Sequence, residues 1–197
     1  MNRLRADSDT PVADLIRERR TVRLFKNDEV PRSLLLELLN VAVWAPNHEF
    51  REPWRFILFQ GEARRTFAEA MIRTYSSEER EKYGKNKKAY LESVPAHLIV
   101  VLKEDPRPKA WEEDYAAVCS LIQNFQLAAW ERGLGVVWKT NHYGYDPKFR
   151  ETASVGPGEK IVGVLHVGYP AVIPPARPRT PAEELLTVFP ERPSLEE

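Results

Sequence analysis

The chain has 197 residues, 43% of them hydrophobic and 29% charged, which is ordinary for a soluble globular protein and long enough for one sizeable core. Lys plus Arg and Asp plus Glu both number 29, so the formal net charge is +0. That excludes the broadly basic surface needed for bulk nucleic-acid binding, leaves room for a local basic pocket, and offers little protection against self-association. The single cysteine, Cys119, excludes an internal disulfide and a multi-cysteine metal site. Its apolar surroundings, Ala116 to Ile122, mark it as a buried structural thiol. No apolar run approaches the roughly 20 residues that span a bilayer, and Met1 to Asp7 carries no apolar signal-peptide core, so a cytoplasmic protein without membrane attachment is expected.

Thr10-Pro11 opens a first helix as N-cap and first-turn proline, with Val12, Leu15, Ile16 and Arg19 at helical spacing. A second helix is predicted over Pro31 to Val43, its apolar face made by Leu34, Leu35, Leu38, Leu39 and Ala42. Trp54 to Phe59 alternates and is aromatic-rich, which predicts a strand, and Gly61 to Arg73 predicts a third helix. The stretch 75–88 is densely charged and reads as a solvated, mobile surface segment or, in a functional reading, as a lid. Ala96 to Leu102, bounded by Pro95 and Asp105-Pro106, predicts a buried strand. Trp111 to Arg132 is the longest predicted helix, apolar on more than one face and closed by Gly133. Val136 to Thr140 is a further strand, Asp146 to Ala153 a short helix opened by Asp146-Pro147, and Lys160 to Tyr169 the last core strand. Beyond it, Pro170, Pro174, Pro175, Pro178, Pro181, Pro190 and Pro193 predict an extended arm, within which the apolar Leu185 to Phe189 needs burial. One domain over 1–197 is expected, with a core of about 12–169 and the arm over 170–197.

Two segments carry the chemistry. Arg19-Arg20-Thr21-Val22-Arg23 places three guanidinium groups and a hydroxyl within five residues at a helix end. Guanidinium forks bind phosphate bidentately, so this is a candidate anion site; the competing reading is ordinary basic capping of the helix dipole. Trp44-Ala45-Pro46-Asn47-His48 breaks a helix with proline and presents an amide and an imidazole, groups that can meet a ligand. Trp138-Lys139-Thr140 ends a strand on an aromatic, an ammonium and a hydroxyl, a suitable edge for a planar polar ring. His97 and His166 lie in apolar strands and read as satisfied core histidines. No GxGxxG, Walker A, HExxH or GxSxG motif is present, and no metal-ligand spacing occurs.

Taken in order, Arg19-Arg20-Thr21-x-Arg23-x-Phe25, Ala45-Pro46-Asn47-His48, Pro53-Trp54-x-Phe56, Glu113-Asp114-Tyr115-Ala116-Ala117, Gly135 to Thr140 and Gly168-Tyr169-Pro170 resemble the nitroreductase family of flavoproteins over about Val12 to Phe189. The likeness is to the compact subgroup with Arg-Arg-Ser near its start. Thr21 stands where that subgroup has Ser, and Glu49-Phe50-Arg51-Glu52 replaces the small polar residues and glutamine of many relatives.

The resemblance implies an α+β fold, a mixed central sheet flanked by helices with a C-terminal arm, assembled as a homodimer with FMN at the subunit interface. Arg19, Arg20 and Thr21 would hold the FMN phosphate and ribityl chain, Arg23 the ring edge, and Trp138, Lys139 and Thr140 the isoalloxazine. Asn47 and His48, with Trp44, would reach the flavin from the partner subunit; Arg179 would reach the phosphate, with Arg177 a poorer candidate. The implied activity is ping-pong hydride transfer from NADH or NADPH through flavin N5 to a nitroaromatic, a quinone or a similar electron-poor small molecule, with no protein acid or base as catalytic residue. Flavin fragmentation, dehalogenation, desaturation or redox sensing without turnover are the rival activities.

Overall fold

The computed structural model describes residues 10–189; the expectations for Met1 to Asp7 and for Pro190 and Pro193 fall outside them. Seven α-helical segments and four strands follow one another among the described residues: α1 (Pro11–Glu18), α2 (Arg32–Ala42), β1 (Trp54–Gln60), α3 (Ala63–Arg73), α4 (Ser77–Glu79), α5 (Lys85–Ser93), β2 (Ala96–Lys103), α6 (Pro108–Glu131), β3 (Gly135–Lys139), α7 (Pro147–Thr152) and β4 (Glu159–Gly168). The sheet order is β1-β2-β4-β3, with every neighbour antiparallel. Its mixed character rests on an isolated parallel bridge, Thr21 to Val136, on the outer edge of β3.

β2 lies inside the sheet and is buried along both faces up to Lys103, which is why it is a continuous apolar run without alternation. Leu98, Val100 and Leu102 face α2 and α6, packing with Leu35, Leu38, Leu121 and Phe125. Ile99 and Val101 face the opposite way, toward Phe67 and Met71 of α3, Leu91 of α5 and Phe149 of α7. Full burial of side chains of this size stabilises by about 1.5–3 kcal/mol each. α6 starts on Pro108 and stops because Gly133 turns left-handed at φ 76, letting Leu134 N–H return to the Ala129 carbonyl at 2.8 Å. Asp146 caps α7 through its carboxylate, which accepts from Lys148 and Phe149 N–H.

Three expectations are corrected. The charged 75–88 stretch, expected as a mobile surface segment or a lid, is regular helical structure: a Ser76–Glu79 capping box starts α4, a π-turn follows over Arg80–Gly84, and α5 runs on to Ser93. Its charges are the outer face of a helix whose inner face is supplied by Leu91 and the half-buried Tyr90. Cys119 is only half-buried, with its thiol pKa pushed up by desolvation. His97 and His166 are fully buried but incompletely satisfied. His97 Nε2 meets the Leu91 carbonyl at 2.9 Å, while His97 Nδ1 and both ring nitrogens of His166 have no hydrogen-bond partner. His97 stacks on Phe67 at 4.0 Å between ring centroids, and burial lowers its pKa to about 3.

The tail follows no sheet after Pro170, apart from a single turn over Ala182–Glu184. Leu185, Leu186, Val188 and Phe189 are exposed, so none of the described residues covers the apolar patch.

Candidate functional site

α1 ends at Glu18, and Arg19 leaves the helix with an extended ψ of 133°. The chain then runs alongside β3: Val22 N–H donates to the Val136 carbonyl at 3.2 Å, Lys26 N–H to Tyr169 at 2.8 Å, and Ala171 N–H to Leu24 at 3.0 Å. Val22 is buried against Gly135, where a Cβ would stand 2.6 Å from the valine side chain. Only glycine permits that approach, so Gly135 seats the arginine segment on the sheet edge.

The adjacent arginines differ. Arg20 Nη1 donates to the carbonyls of Arg17 at 2.5 Å and Arg19 at 3.0 Å, so part of its guanidinium caps α1, as the capping reading expects. Arg19 Nη1 is buried and has no partner. Desolvation lowers the Arg19 pKa, and the like charges of Arg20 and Arg179 lower it further. The tail therefore brings Arg179, not Arg177, into electrostatic contact with Arg19; the Arg177 carbonyl instead accepts from Arg179 Nη1 at 3.0 Å. None of Arg19, Arg20, Arg23 and Arg179 forms a salt bridge among the described residues, whereas Arg17, Arg51, Arg55 and Arg132 all do.

A second cationic group lies further along the same edge. Half-buried Lys139 has its pKa lowered by desolvation and then by the charges of Lys87 and Arg23. Tyr90 of α5 is its floor: the hydroxyl donates to the Arg23 carbonyl at 3.3 Å, and Lys87 and Lys139 Nζ lie 5.4 and 6.0 Å from the ring centroid. Thr140 and Asn141, beyond the end of β3, line a cavity of 80 Å³ with Tyr115 and Lys160. Trp138 is placed otherwise than expected for a ring contact. Its indole N–H donates to the Val162 carbonyl at 3.1 Å, and it lies over Gly163, packed against the apolar core.

The third group is separate. Pro46 follows the end of α2, and Asn47 folds back, its Oδ1 accepting from Glu52 N–H at 3.0 Å. Trp44 is 86% exposed and the His48 side chain 57%. Arg51 fastens this turn to the start of α6, bonding Asp114 at 2.9 Å and Glu113 at 3.0 Å, which raises the Arg51 pKa. The arginine segment sits at the other end, beside the strand that follows α6. From Asp114 to Glu131 that helix is about 26 Å long at a rise of about 1.5 Å per residue, so the structure does not bring Asn47 and His48 of this chain to the Arg19 cluster.

Tyr90, Lys87 and the Arg51–Glu113–Asp114 group were not singled out as site residues from the sequence. Lys87 lies inside the charged stretch and Tyr90 just beyond it, although Tyr83, Lys87 and Tyr90 stand at helical i, i+4, i+7 spacing, a usable signal. Glu113-Asp114 belongs to a stretch of family likeness, and nothing in the sequence joins it to Arg51.

A family model described as Nitroreductase family matches residues 16–169. The chain belongs to the nitroreductase family. It is 38% identical over 179 residues to YfhC of Bacillus subtilis (strain 168), whose full name carries the words NAD(P)H nitroreductase, covering 88% of this chain and 92% of that protein. A crystal structure of a nitroreductase-like family protein from Bacillus cereus superposes with a TM-score of 0.89 at 45% identity, over 93% of this chain and 98% of that one. An iodotyrosine deiodinase of Thermotoga neapolitana is 32% identical over 181 residues, covering 84% of this chain and 92% of the relative. As a nitroreductase-family protein, the chain has its expected α+β fold, and no helix among the described residues is long and apolar enough to cross a membrane.

Proposed function

We propose that this chain is an FMN-dependent NAD(P)H oxidoreductase that reduces nitroaromatics, quinones or similar electron-poor small molecules. The observation that carries the reading is the buried, partnerless Arg19 Nη1, held against the like charges of Arg20 and Arg179. A buried unsatisfied cation beside two others is unfavourable unless a dianion completes it, and a phosphate monoester has the charge and the acceptor oxygens to do so. Thr21, half-buried next to them, adds a hydroxyl.

Bound FMN supplies the hydride chemistry, at N5, between nicotinamide and acceptor. The residues of this chain bind and orient it: Arg19, Arg20, Thr21 and Arg179 at the phosphate, Arg23, Lys139 and Thr140 along the ring edge, with Tyr90 supporting Lys139 and Arg23 from below. Trp138 contributes through the backbone it fixes beside Lys139 and not through its indole. Asn47, His48 and Trp44 serve the site of a second copy, since they lie far along α6 from the arginines of their own chain. The exposed Leu185 to Phe189 patch and the neutral net charge support the same homodimer.

The test is an absorption titration of purified protein with FMN, followed by anaerobic mixing with NADH or NADPH. Stoichiometric flavin binding with rapid bleaching is expected, and then turnover of a nitroaromatic or a quinone. Protein that gains no affinity for FMN overturns the reading. A second reading, reductive dehalogenation of a haloaromatic, draws on the 32% identity to an iodotyrosine deiodinase. Iodide release from 3-iodotyrosine, with poor nitroaromatic turnover, is the outcome that would favour it.

A further inference from the structure

We propose that Arg51 is a positioning residue that aims Phe50 and His48 at the electron acceptor, by anchoring a strained turn to the start of α6. The inference rests on the flavin reading above and deepens it.

Glu49, Phe50 and Glu52 all have left-handed φ, at 55°, 52° and 44°. Residues with side chains seldom adopt that conformation, and a cluster of them persists only where surrounding contacts over-determine it. Those contacts are here. Arg51 Nε donates to Asp114 at 2.9 Å, Nη2 to Glu113 at 3.0 Å and Nη1 to Glu49 at 3.2 Å. Asp114 is 2% exposed, so its carboxylate depends on this guanidinium. Asn47 closes the turn from within, accepting from Glu52 N–H and donating to the Ala45 carbonyl at 3.4 Å.

Every polar side chain with a structural bond in this turn is tied back into its own chain. The side chains left over are the exposed carboxylate of Glu52, His48, whose nearest charged neighbour is Glu49 at 3.9 Å, and Phe50, which is 89% exposed and the one large apolar group among them. A large aromatic held at the tip of a strained and heavily braced turn is a surface for another molecule. A flat, electron-poor aromatic matches it: the phenyl face offers stacking and the imidazole one hydrogen bond. The guanidinium is required because three carboxylates in different directions need a planar fork, which a lysine does not supply.

The experiment compares wild type with Arg51→Met, Arg51→Lys, Phe50→Ala and the double variant Arg51→Gln with Asp114→Asn. The double variant leaves no buried carboxylate alone and guards against simple misfolding. Hydrogen exchange over residues 47–52 is read on the flavin-free protein. FMN affinity is read by flavin fluorescence. Benzoate, a redox-inert flat aromatic, is titrated against the oxidised holoprotein by its perturbation of the flavin spectrum, and KM and kcat are measured for a nitroaromatic.

Release of the anchor should speed exchange in the turn and weaken both benzoate affinity and acceptor KM by about tenfold, the scale of one aromatic contact, with FMN affinity changed far less. Arg51→Lys should recover only part of this. Phe50→Ala should reproduce the benzoate loss with the anchor intact. Unchanged benzoate affinity in variants whose turn exchanges faster overturns the proposal alone. So does a loss of FMN and benzoate affinity by the same factor, which marks general loosening. Wild-type protein that binds no FMN overturns this proposal together with the reading beneath it.

Discussion

Arginine serves opposite ends in two regions of this protein. Around Arg19, cations converge with no carboxylate among the described residues to balance them, and the Arg19 pKa falls through burial and like charge. Around Arg51, three carboxylates converge on one guanidinium, and its pKa rises. The first arrangement weakens the free protein and is completed by an anion from outside. The second is complete already and braces a backbone that would not otherwise hold its shape. The environment of the side chain, more than its identity, separates a binding arginine from a structural one.

The sharpest way to break this contrast is to remove each charge in turn. Arg19→Met is expected to weaken FMN binding by about 10- to 100-fold, the range for a lost charge-assisted hydrogen bond, while the melting temperature of the flavin-free protein holds or rises. Arg51→Met should do the reverse, lowering that melting temperature with a much smaller effect on FMN affinity. Fluorescence titration and thermal unfolding of both variants check the pair; parallel losses in both variants would erase the distinction.

Gly135→Ala tests the seating of the arginine segment without touching a charge. The added methyl meets Val22 at 2.6 Å, so overpacking should cost about 1–3 kcal/mol and FMN affinity should fall along with stability. Denaturant unfolding with and without FMN measures both. An alanine variant with wild-type binding would show that the segment is held elsewhere.

His97 and His166 sharpen the comparison from a third side, because three of their four ring nitrogens also lack partners, while the rings are neutral and enclosed by apolar groups. Their folded pKa values are depressed, that of His97 to about 3 and that of His166 well below the ordinary value, both chiefly by desolvation. The unfolded chain binds protons from about pH 6.5 downward and the folded one does not. Stability is therefore complete above about pH 6.5 and declines as the pH falls toward 3, at up to about 1.4 kcal/mol per pH unit for each imidazole. His166→Leu should remove one share of that slope, gaining about 1 kcal/mol relative to wild type at pH 5.5 compared with pH 8. Denaturant midpoints at the two pH values decide it, and parallel midpoints would mean that other groups govern acid sensitivity.

Much of the fold was legible along the chain because each signal was local. Gly133 closed α6, Asp146-Pro147 opened α7, and the unbroken apolar run of β2 announced a buried strand, whereas the start of α6 at Pro108 falls three residues before the expected Trp111. α5 was not legible as a helix, since its charges cover the exposed face and a short amphipathic pattern was masked by lysine and glutamate. In the candidate site, the arginine cluster and the Asn47-His48 turn were visible as motifs. Their relation to each other was not, because it depends on the length of a helix between them.

The sequence by itself determined the family, the succession of helices and strands, and the residue types available for an anion. Periodicity, prolines, glycines and caps act over a few residues and survive being read in one dimension. Only the tertiary structure decided that Arg19 is bare while Arg20 caps a helix, that the Trp138 indole bonds the Val162 carbonyl, that Tyr90 supports Lys139, and that Arg51 braces the strained turn through Glu113 and Asp114. Those roles are set by burial and by partners from distant parts of the chain, and both exist only once the chain has folded.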